Sequence, residues 1–273
     1  MDKLKSSRGS AAVPALLAVL LTLFVGVTLY YFVAQVYWYP PPINEFGREV
    51  DTQFTRTFII TGIVFVLSQL GLAWVVFRYR DRGGKATFSH GNNAMEIFWS
   101  AAALVLFVGL GFAGQKSWAQ LHFADAPPGS LVIEVTGKQF NWFFRYPGAD
   151  GAFGKSGAQF VSEANPVGLD DKDPAAKDDV VTATLGVPLG RSVKLVLRSY
   201  DVTHGFYVRE LRLKQDALPG LLIPIHFQAD VPGDYEIVCT QLCGSNHHRM
   251  RAVLKVMPQP EFDKWLANEK ASE

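Results

Sequence analysis

The sequence predicts an α+β membrane protein in which three transmembrane helices precede an all-β Greek-key sandwich. Hydrophobic residues make up 49% of the 273 positions, and they concentrate in the first 120, in three long runs with little charge. From residue 130 onward, short runs of β-forming residues alternate with turn residues. The predicted domains are therefore a membrane region at residues 1–120, a sandwich at 121–257 and a C-terminal tail with a short helix at 258–273.

The first predicted span covers residues 11–38, which contain no charged side chain. It is longer than the roughly 20 apolar residues that cross a bilayer. Three consecutive prolines, residues 40–42, are expected to stop the helix, and aromatic residues close it as at a membrane interface: Tyr30, Tyr31, Tyr37, Trp38 and Tyr39. A cleaved signal peptide is the alternative, because three basic residues precede the run: Lys3, Lys5 and Arg8. The length of the run and the lack of an A-x-A cleavage site favour an uncleaved helix.

Two further spans are predicted at residues 54–77 and 94–114, and the charges of the loops orient all three. Residues 78–85 carry three arginines and one lysine against one aspartate, whereas residues 39–53 carry three acidic residues against one arginine. Basic loops remain in the cytoplasm. We therefore expect a multi-pass protein of the bacterial inner membrane whose chain after residue 116 lies on the periplasmic or outer face.

The second half of the chain predicts an antiparallel sandwich or barrel. Its strand signals fall at residues 131–136, 140–146, 180–185, 192–198, 205–208, 221–228, 235–239 and 251–256. In the tail, Phe262, Trp265 and Leu266 share one face of the predicted amphipathic helix. The long segment at 147–179 is expected to be a solvated acidic loop, the alternative being a docking surface for a basic partner. Its acidic residues are Asp170, Asp171, Asp173, Asp178 and Asp179.

The only two cysteines of the chain lie in a short segment with ligands suited to a soft metal. Cys239 and Cys243 are followed by His247 and Met250. In a periplasmic domain a disulfide is the default expectation, but it requires neither the imidazole nor the thioether. Zinc rarely uses a thioether, and a blue-copper site uses one cysteine rather than two. Two thiolates this close can instead bridge two copper ions, so we expect a dinuclear copper site.

A second imidazole must come from elsewhere in the chain, and His204 is the best candidate. It lies between two strand signals in the segment Ser-Tyr-Asp-Val-Thr-His-Gly-Phe at residues 199–206. Two other histidines compete with it, and a third cannot reach the site. His226 falls inside a predicted strand, His248 would point away if its neighbour points inward, and His90 is on the cytoplasmic side.

These motifs together resemble subunit II of the haem–copper cytochrome c oxidases. Residues 239–250, Cys-x-x-x-Cys-x-x-x-His-x-x-Met, are similar to the copper A loop of that family, and residues 201–204 to its upstream histidine motif. Residues 214–220, Lys-Gln-Asp-Ala-Leu-Pro-Gly, resemble the segment that follows it. The resemblance implies a cupredoxin-like domain with a dinuclear copper A centre. The implied ligands are His204, Cys239, Cys243, His247, Met250 and, weakly, the backbone carbonyl of Gln241.

The resemblance also implies a function in electron transport. A c-type cytochrome would reduce the copper pair, which would pass electrons to haem in subunit I, where oxygen reduction is coupled to proton translocation. The expected partners are subunit I, other membrane subunits, membrane lipid and the cytochrome. The formal net charge of +1 and the lack of a basic face exclude nucleic acid. The alternatives are the copper A subunit of a nitric-oxide reductase, a metal-free quinol oxidase subunit and a copper-delivery protein.

Three departures from the family pattern and one further match carry additional expectations. Gln241 replaces a glutamate that commonly binds magnesium, so that ion is doubtful. Phe140 replaces the tryptophan through which electrons are thought to enter, with Trp142 nearby; both could instead be core aromatics. An extra helix precedes the usual two. Glu96 lies in a run similar to the start of the family's last transmembrane helix, near a proton-channel entrance, although an acid at the membrane interface is the simpler interpretation.

Overall fold

The computed structural model describes residues 11–35, 39–82, 87–88 and 90–272. It confirms the predicted fold class, because three long apolar helices precede a sandwich of two five-stranded sheets. The chain divides into two compact units. One contains most of the three helices, and the other contains the sandwich together with Tyr39–Asp51 and the chain from Gln115 onward.

The three helices are α1 (Ala12–Val33), α2 (Glu45–Arg78) and α3 (Asn93–His122). Each is long and apolar enough to cross a membrane. Most of their large apolar side chains are exposed in the isolated chain, as expected of helices that face lipid or other subunits. Helices α2 and α3 extend beyond the predicted spans, because polar residues outside an apolar run can continue the same helix.

The prolines do not stop α1, contrary to the sequence prediction. The helix ends at Val33, and Gln35 follows in the left-handed conformation at φ 52°. A left-handed residue just beyond the last turn is a common way for a helix to end, and it needs no proline. Tyr30 and Tyr31 are exposed near this end. The other predicted interface residues Tyr37 and Trp38, and the basic residues Lys3, Lys5, Arg8 and Lys85, lie outside the described residues.

Ten strands form the sandwich, and the order within each sheet is not sequential, as in a Greek-key arrangement. One sheet has the order β3-β2-β1-β5-β8 and the other β4-β10-β9-β6-β7. The strands are β1 (Leu131–Lys138), β2 (Asn141–Tyr146), β3 (Val180–Thr182), β4 (Thr184–Pro188), β5 (Ser192–Ser199), β6 (His204–Val208), β7 (Leu213–Ala217), β8 (Ile223–Gln228), β9 (Gly233–Cys239) and β10 (Arg251–Met257).

The arrangement of strands differs from the prediction in three respects. The pairs β1–β5 and β4–β10 are parallel rather than antiparallel, because long connections return the chain to the same end of the sheet. The strand predicted at 180–185 is two strands in opposite sheets, separated by a bend at Ala183. Strand β7 was not predicted, since its sequence Leu-Lys-Gln-Asp-Ala is mostly polar.

The segment at 147–179 folds onto the outer face of the first sheet, so the prediction of a solvated acidic loop is wrong for part of it. Arg145 is almost completely buried and forms ion pairs with Asp179 at the end of the segment and with Glu134. Its guanidinium also donates to the carbonyl of Gly154 at 2.6 Å. A buried arginine requires such partners, and they attach the segment to the sheet.

Helix α4 (Gln259–Ser272) covers one side of the sandwich. Phe262 is buried, and the rings of Phe262 and Trp265 both pack against Tyr146. The contact depends on Gly186, because a Cβ at that position would lie 2.3 Å from the ring of Trp265.

Tyr39–Asp51 packs with the sandwich, although the boundary predicted at residue 120 assigned it to the membrane region. Arg212 donates two hydrogen bonds to Asp51, at 2.7 and 2.8 Å, and another to the carbonyl of Pro40 at 2.8 Å. Two backbone hydrogen bonds of Ile43 add to this attachment.

Candidate metal centre

Two neighbouring strands of the second sheet bring the predicted ligands together. Strand β6 begins at His204, and β9 ends at Cys239, with Phe206 paired to Cys239 in the register. The N–H of Thr240 donates to the carbonyl of Gly205 at 2.9 Å and continues the pairing into the cysteine loop. A Cβ on Gly205 would lie 2.5 Å from the hydroxyl oxygen of Thr240, so glycine permits this approach.

The sulfur and nitrogen atoms of the loop form one close group. Both thiols are free and buried, with their Sγ atoms 3.8 Å apart, well beyond the roughly 2.05 Å of a disulfide. Cys243 Sγ also lies 3.6 Å from His247 Nδ1 and 3.8 Å from Met250 Sδ. The ligand atoms of His204, Cys239 and Cys243 are all within 4.8 Å of one another. Such a group can hold a soft metal.

The ring of His204 is oriented for metal binding. It is completely buried, and its Nε2 lies 2.8 Å from Asp201 Oδ1, so Nε2–H donates to this carboxylate. Nδ1 is then an acceptor, and it is buried without a hydrogen-bond partner in the described part of the chain. Since buried polar atoms nearly always have a partner, the free Nδ1 fits a metal ion as its missing partner.

The protonation of the site reflects its burial. Burial raises the pKa of the Cys243 thiol to about 11, and the hydrogen bond and charge of Cys239 act in the same direction. Burial alone would raise the pKa of Asp201 as well, but hydrogen bonds from the N–H of Gln139 and from His204 lower it overall. Asp201 is therefore a stable anionic partner for the imidazole, whereas the thiol needs a metal ion to become a thiolate.

The other candidate ligands have different environments. The carbonyl of Gln241 lies 3.2 Å from Cys239 Sγ, whereas the side chain of Gln241 is exposed. Of the other histidines considered, His226 is half-buried in β8, and His248 and His90 are exposed. None of these three belongs to the metal-binding group found among the described residues.

The two aromatic candidates lie at different depths. Trp142 is buried and packs edge-on against His204, with ring centroids 5.8 Å apart, and against Phe206 at 5.5 Å. Phe140 is half-buried in the turn between β1 and β2, where a Cβ on Gly244 would lie 3.0 Å from its ring. Phe140 is thus the aromatic nearer to the surface. Glu96 is exposed in the first turn of α3, in the other unit.

Sequence reasoning missed two residues that contact the ligands. Asp201 was noted only as part of a motif, although its spacing of three from His204 could have indicated a hydrogen bond. Gln139 was not assigned a role, yet its N–H donates to Asp201 Oδ2 at 2.7 Å and its side chain to the carbonyl of Cys243 at 2.6 Å. Contacts between residues so distant in sequence leave no local signal.

Comparison with known proteins agrees with this geometry. A family model described as cytochrome c oxidase subunit II, periplasmic domain, matches residues 131–257. The alternative cytochrome c oxidase subunit 2 of Bradyrhizobium diazoefficiens is 34% identical over 259 residues, which cover 94% of this chain and 92% of that protein. The cytochrome c oxidase subunit 2 of Thermostichus vulcanus is 26% identical, covering 85% of this chain and 78% of that protein.

Among solved structures, the periplasmic domain of subunit II of cytochrome oxidase from Bradyrhizobium japonicum is 26% identical, with a TM-score of 0.41. The match covers 54% of this chain and 99% of that domain. Three apolar helices before a periplasmic-type domain place the chain in a bacterial inner membrane, with the sandwich on the periplasmic face. The 34% identity to the Bradyrhizobium diazoefficiens subunit, over 94% of the chain, shows that this protein belongs to the cytochrome c oxidase subunit II family.

Proposed function

We propose that this chain is the copper A subunit of a haem–copper terminal oxidase, in which it relays electrons from a c-type cytochrome to haem in subunit I. The observation that carries the proposal is the buried group of two free thiols and one imidazole whose Nδ1 has no hydrogen-bond partner among the described residues. Members of the family act as subunits of an oxidoreductase complex, which supports the assignment.

The residues that would hold the copper pair are those that share the site. The imidazoles of His204 and His247 would bind through Nδ1. This atom has no hydrogen-bond partner in His204 within the part of the chain that the structure describes, and in His247 it faces Cys243. The thiolates of Cys239 and Cys243, the thioether of Met250 and the carbonyl of Gln241 complete the set. When bound, the copper pair supplies a carrier that accepts and returns one electron at a time.

The protein contributes burial and fixed geometry. Cys239, Cys243, Met250 and His204 are all buried, so water is excluded from most of the ligand atoms. Asp201 holds the proton of His204 on Nε2 and leaves Nδ1 as the nitrogen that would bind the metal. Ligands held by two paired strands need little rearrangement when the charge of the site changes, and this favours fast electron transfer.

The exposure of side chains also supports the assignment of where electrons and protons enter. Phe140 is the aromatic nearer to the surface, which supports electron entry there, whereas the buried Trp142 packs directly on His204. The exposed position of Glu96 at the start of α3 is compatible with a proton entrance next to subunit I. Magnesium at Gln241 remains doubtful, because a neutral amide binds a hard cation less well than a carboxylate.

Copper analysis of the purified complex tests the proposal. The wild-type complex should bind two copper ions in this subunit and show an EPR signal with hyperfine splitting from two copper nuclei. The change Cys243→Ser should abolish that signal, because serine offers no thiolate, whereas Ser245→Ala on the exposed part of the same loop should retain it.

Hyperfine splitting from one nucleus in the wild type, or electron transfer from reduced cytochrome that survives Cys243→Ser, would contradict the relay. The gas that the complex consumes then separates the terminal oxidase, which takes oxygen, from the nitric-oxide reductase alternative.

A further inference from the structure

The two-residue turn between β1 and β2 meets both ligand-bearing segments of the copper site. Lys138 pairs with Asn141, so Gln139 and Phe140 form the turn itself. One ligand, His204, lies at the start of β6. Cys239 is the last residue of β9, and the other ligands lie on the loop between β9 and β10. The turn belongs to the first sheet, whereas both segments belong to the second sheet. The turn can therefore hold the two segments from across the sandwich.

Gln139 contacts each segment through a different group. Its backbone N–H donates to Asp201 Oδ2 at 2.7 Å, and the other oxygen of Asp201 accepts from His204 Nε2 at 2.8 Å. Its side-chain amide donates to the carbonyl of Cys243 at 2.6 Å. Gln139 therefore positions the imidazole of His204 through the carboxylate of Asp201. It positions the thiol of Cys243 through the backbone carbonyl of that cysteine.

Two glycines make this arrangement possible. A Cβ on Gly244 would lie 2.8 Å from Gln139 Nε2 and would displace the amide from the Cys243 carbonyl. A Cβ on Gly137 would lie 2.8 Å from the imidazole carbon Cδ2 of His204. The backbone of β1 next to His204 and the backbone of the cysteine loop next to Gln139 therefore carry no side chain where these groups approach each other.

We propose that Gln139 is a positioning residue that keeps the copper ligands in their binding arrangement before the metal arrives. The inference rests on the proposed copper site and extends it to a residue that does not bind the metal. Partners that orient metal ligands typically contribute about 10–100-fold to metal affinity. The amide of Gln139 should act in this range, because without it the Cys243 end of the loop loses a hydrogen bond to the rigid sheet.

The test is copper affinity in the full-length protein in detergent, measured by competition with a chelator. Gln139→Met retains the volume of the side chain but removes its donors, and Gln139→Ala removes the same bond without filling the space. Both should weaken copper binding by about 10-fold or more and alter the hyperfine splitting of the EPR signal. Asn141→Ala, at an exposed position directly after the turn, is the matched control and should bind copper as the wild type does.

Three outcomes are informative. Unchanged copper affinity and EPR in both Gln139 variants would overturn the inference while leaving the copper site intact. Equal losses in the Gln139 variants and in Asn141→Ala would also overturn it, because the turn would then matter only for folding. A wild-type protein that binds fewer than two copper ions would instead contradict the proposed function itself. Melting of the metal-free variants separates a local effect on the site from general unfolding.

Discussion

At the scale of single residues, the chemistry of this site depends on where each proton is held. Asp201 accepts from His204 Nε2, and its pKa is lowered by the hydrogen bonds it receives, so it remains ionised. The Cys243 thiol, by contrast, has a pKa raised to about 11 by burial. Asp201 therefore holds a proton on Nε2 of His204 and leaves Nδ1 to face a metal ion, whereas the Cys243 thiol must first lose its proton.

Copper binding should consequently release protons and strengthen as the pH rises. A thiol with a pKa of about 11 is protonated at neutral pH, and only its thiolate binds copper. Raising the pH from about 6 to about 8 should therefore increase the affinity for copper. Titration in weakly buffered solution measures the protons released. Cys243→Ser should release fewer, and an affinity independent of pH would show that the thiols do not bind the metal.

The sequence allowed the copper ligands to be proposed because four of their side chains lie within twelve consecutive positions, and only His204 had to be selected from several histidines. The residues that contact these ligands could not be proposed in the same way. Gln139 contacts a residue 62 positions away and another 104 positions away. Such contacts are set by the packing of two sheets, which residue types and spacing do not encode.

At the scale of elements, the runs of β-forming residues located most strands but not their pairing. Strand β7 was missed because an edge strand can consist of polar residues when only one of its faces is buried. The bend at Ala183 was missed because the predicted strand at 180–185 is a continuous run of mostly β-forming residues that crosses from β3 into β4. The parallel pairs could not be predicted, since a long connection can return a strand in either direction.

The ion pairs beneath the 147–179 segment were also beyond prediction, and they should be essential for its attachment. Removing one partner of a buried ion pair costs about 3–5 kcal/mol, because the remaining charge is left without compensation. Asp179→Asn should therefore destabilise the sandwich and loosen the segment, whose end Asp179 joins to Arg145.

Limited proteolysis and thermal melting measure this effect. Trypsin should cleave after Lys155, Lys172 or Lys177 faster in Asp179→Asn than in the wild type. Asp171→Asn, at an exposed position of the same segment, is the control and should change neither property. Equal cleavage of all three proteins would mean that the segment is held by its other contacts.

At the scale of the whole molecule, the distribution of charge agrees with a protein whose sandwich lies outside the cytoplasm. The basic residues at and after the C-terminal end of α2 and the acidic residues in its first two turns give opposite signs to the two ends of that helix. This asymmetry could be predicted from the sequence alone, because orientation follows the charge of short loops rather than details of packing.

Reporter fusions test the orientation directly. A phosphatase that is active only outside the cytoplasm should be inactive when fused after Arg82 and active when fused after the end of α4. Replacing Arg78, Arg80 and Arg82 with glutamate should raise the activity of the fusion after residue 82. The loop after α2 would then lose the positive charge that keeps it in the cytoplasm. Activity of the unmodified first fusion would contradict the proposed number or direction of the spans.

The separation of 3.8 Å between the two thiols has a consequence for how the protein matures. Sulfur atoms that are free and so close can be joined by an oxidant after a small shift, and the periplasm is an oxidising compartment. Each newly exported copy is therefore exposed to two competing reactions at the same pair of atoms. Under the proposed copper role, only copies that meet copper while both sulfurs are still reduced could become electron carriers. The yield of copper-loaded protein would then depend on the relative rates of metal supply and oxidation.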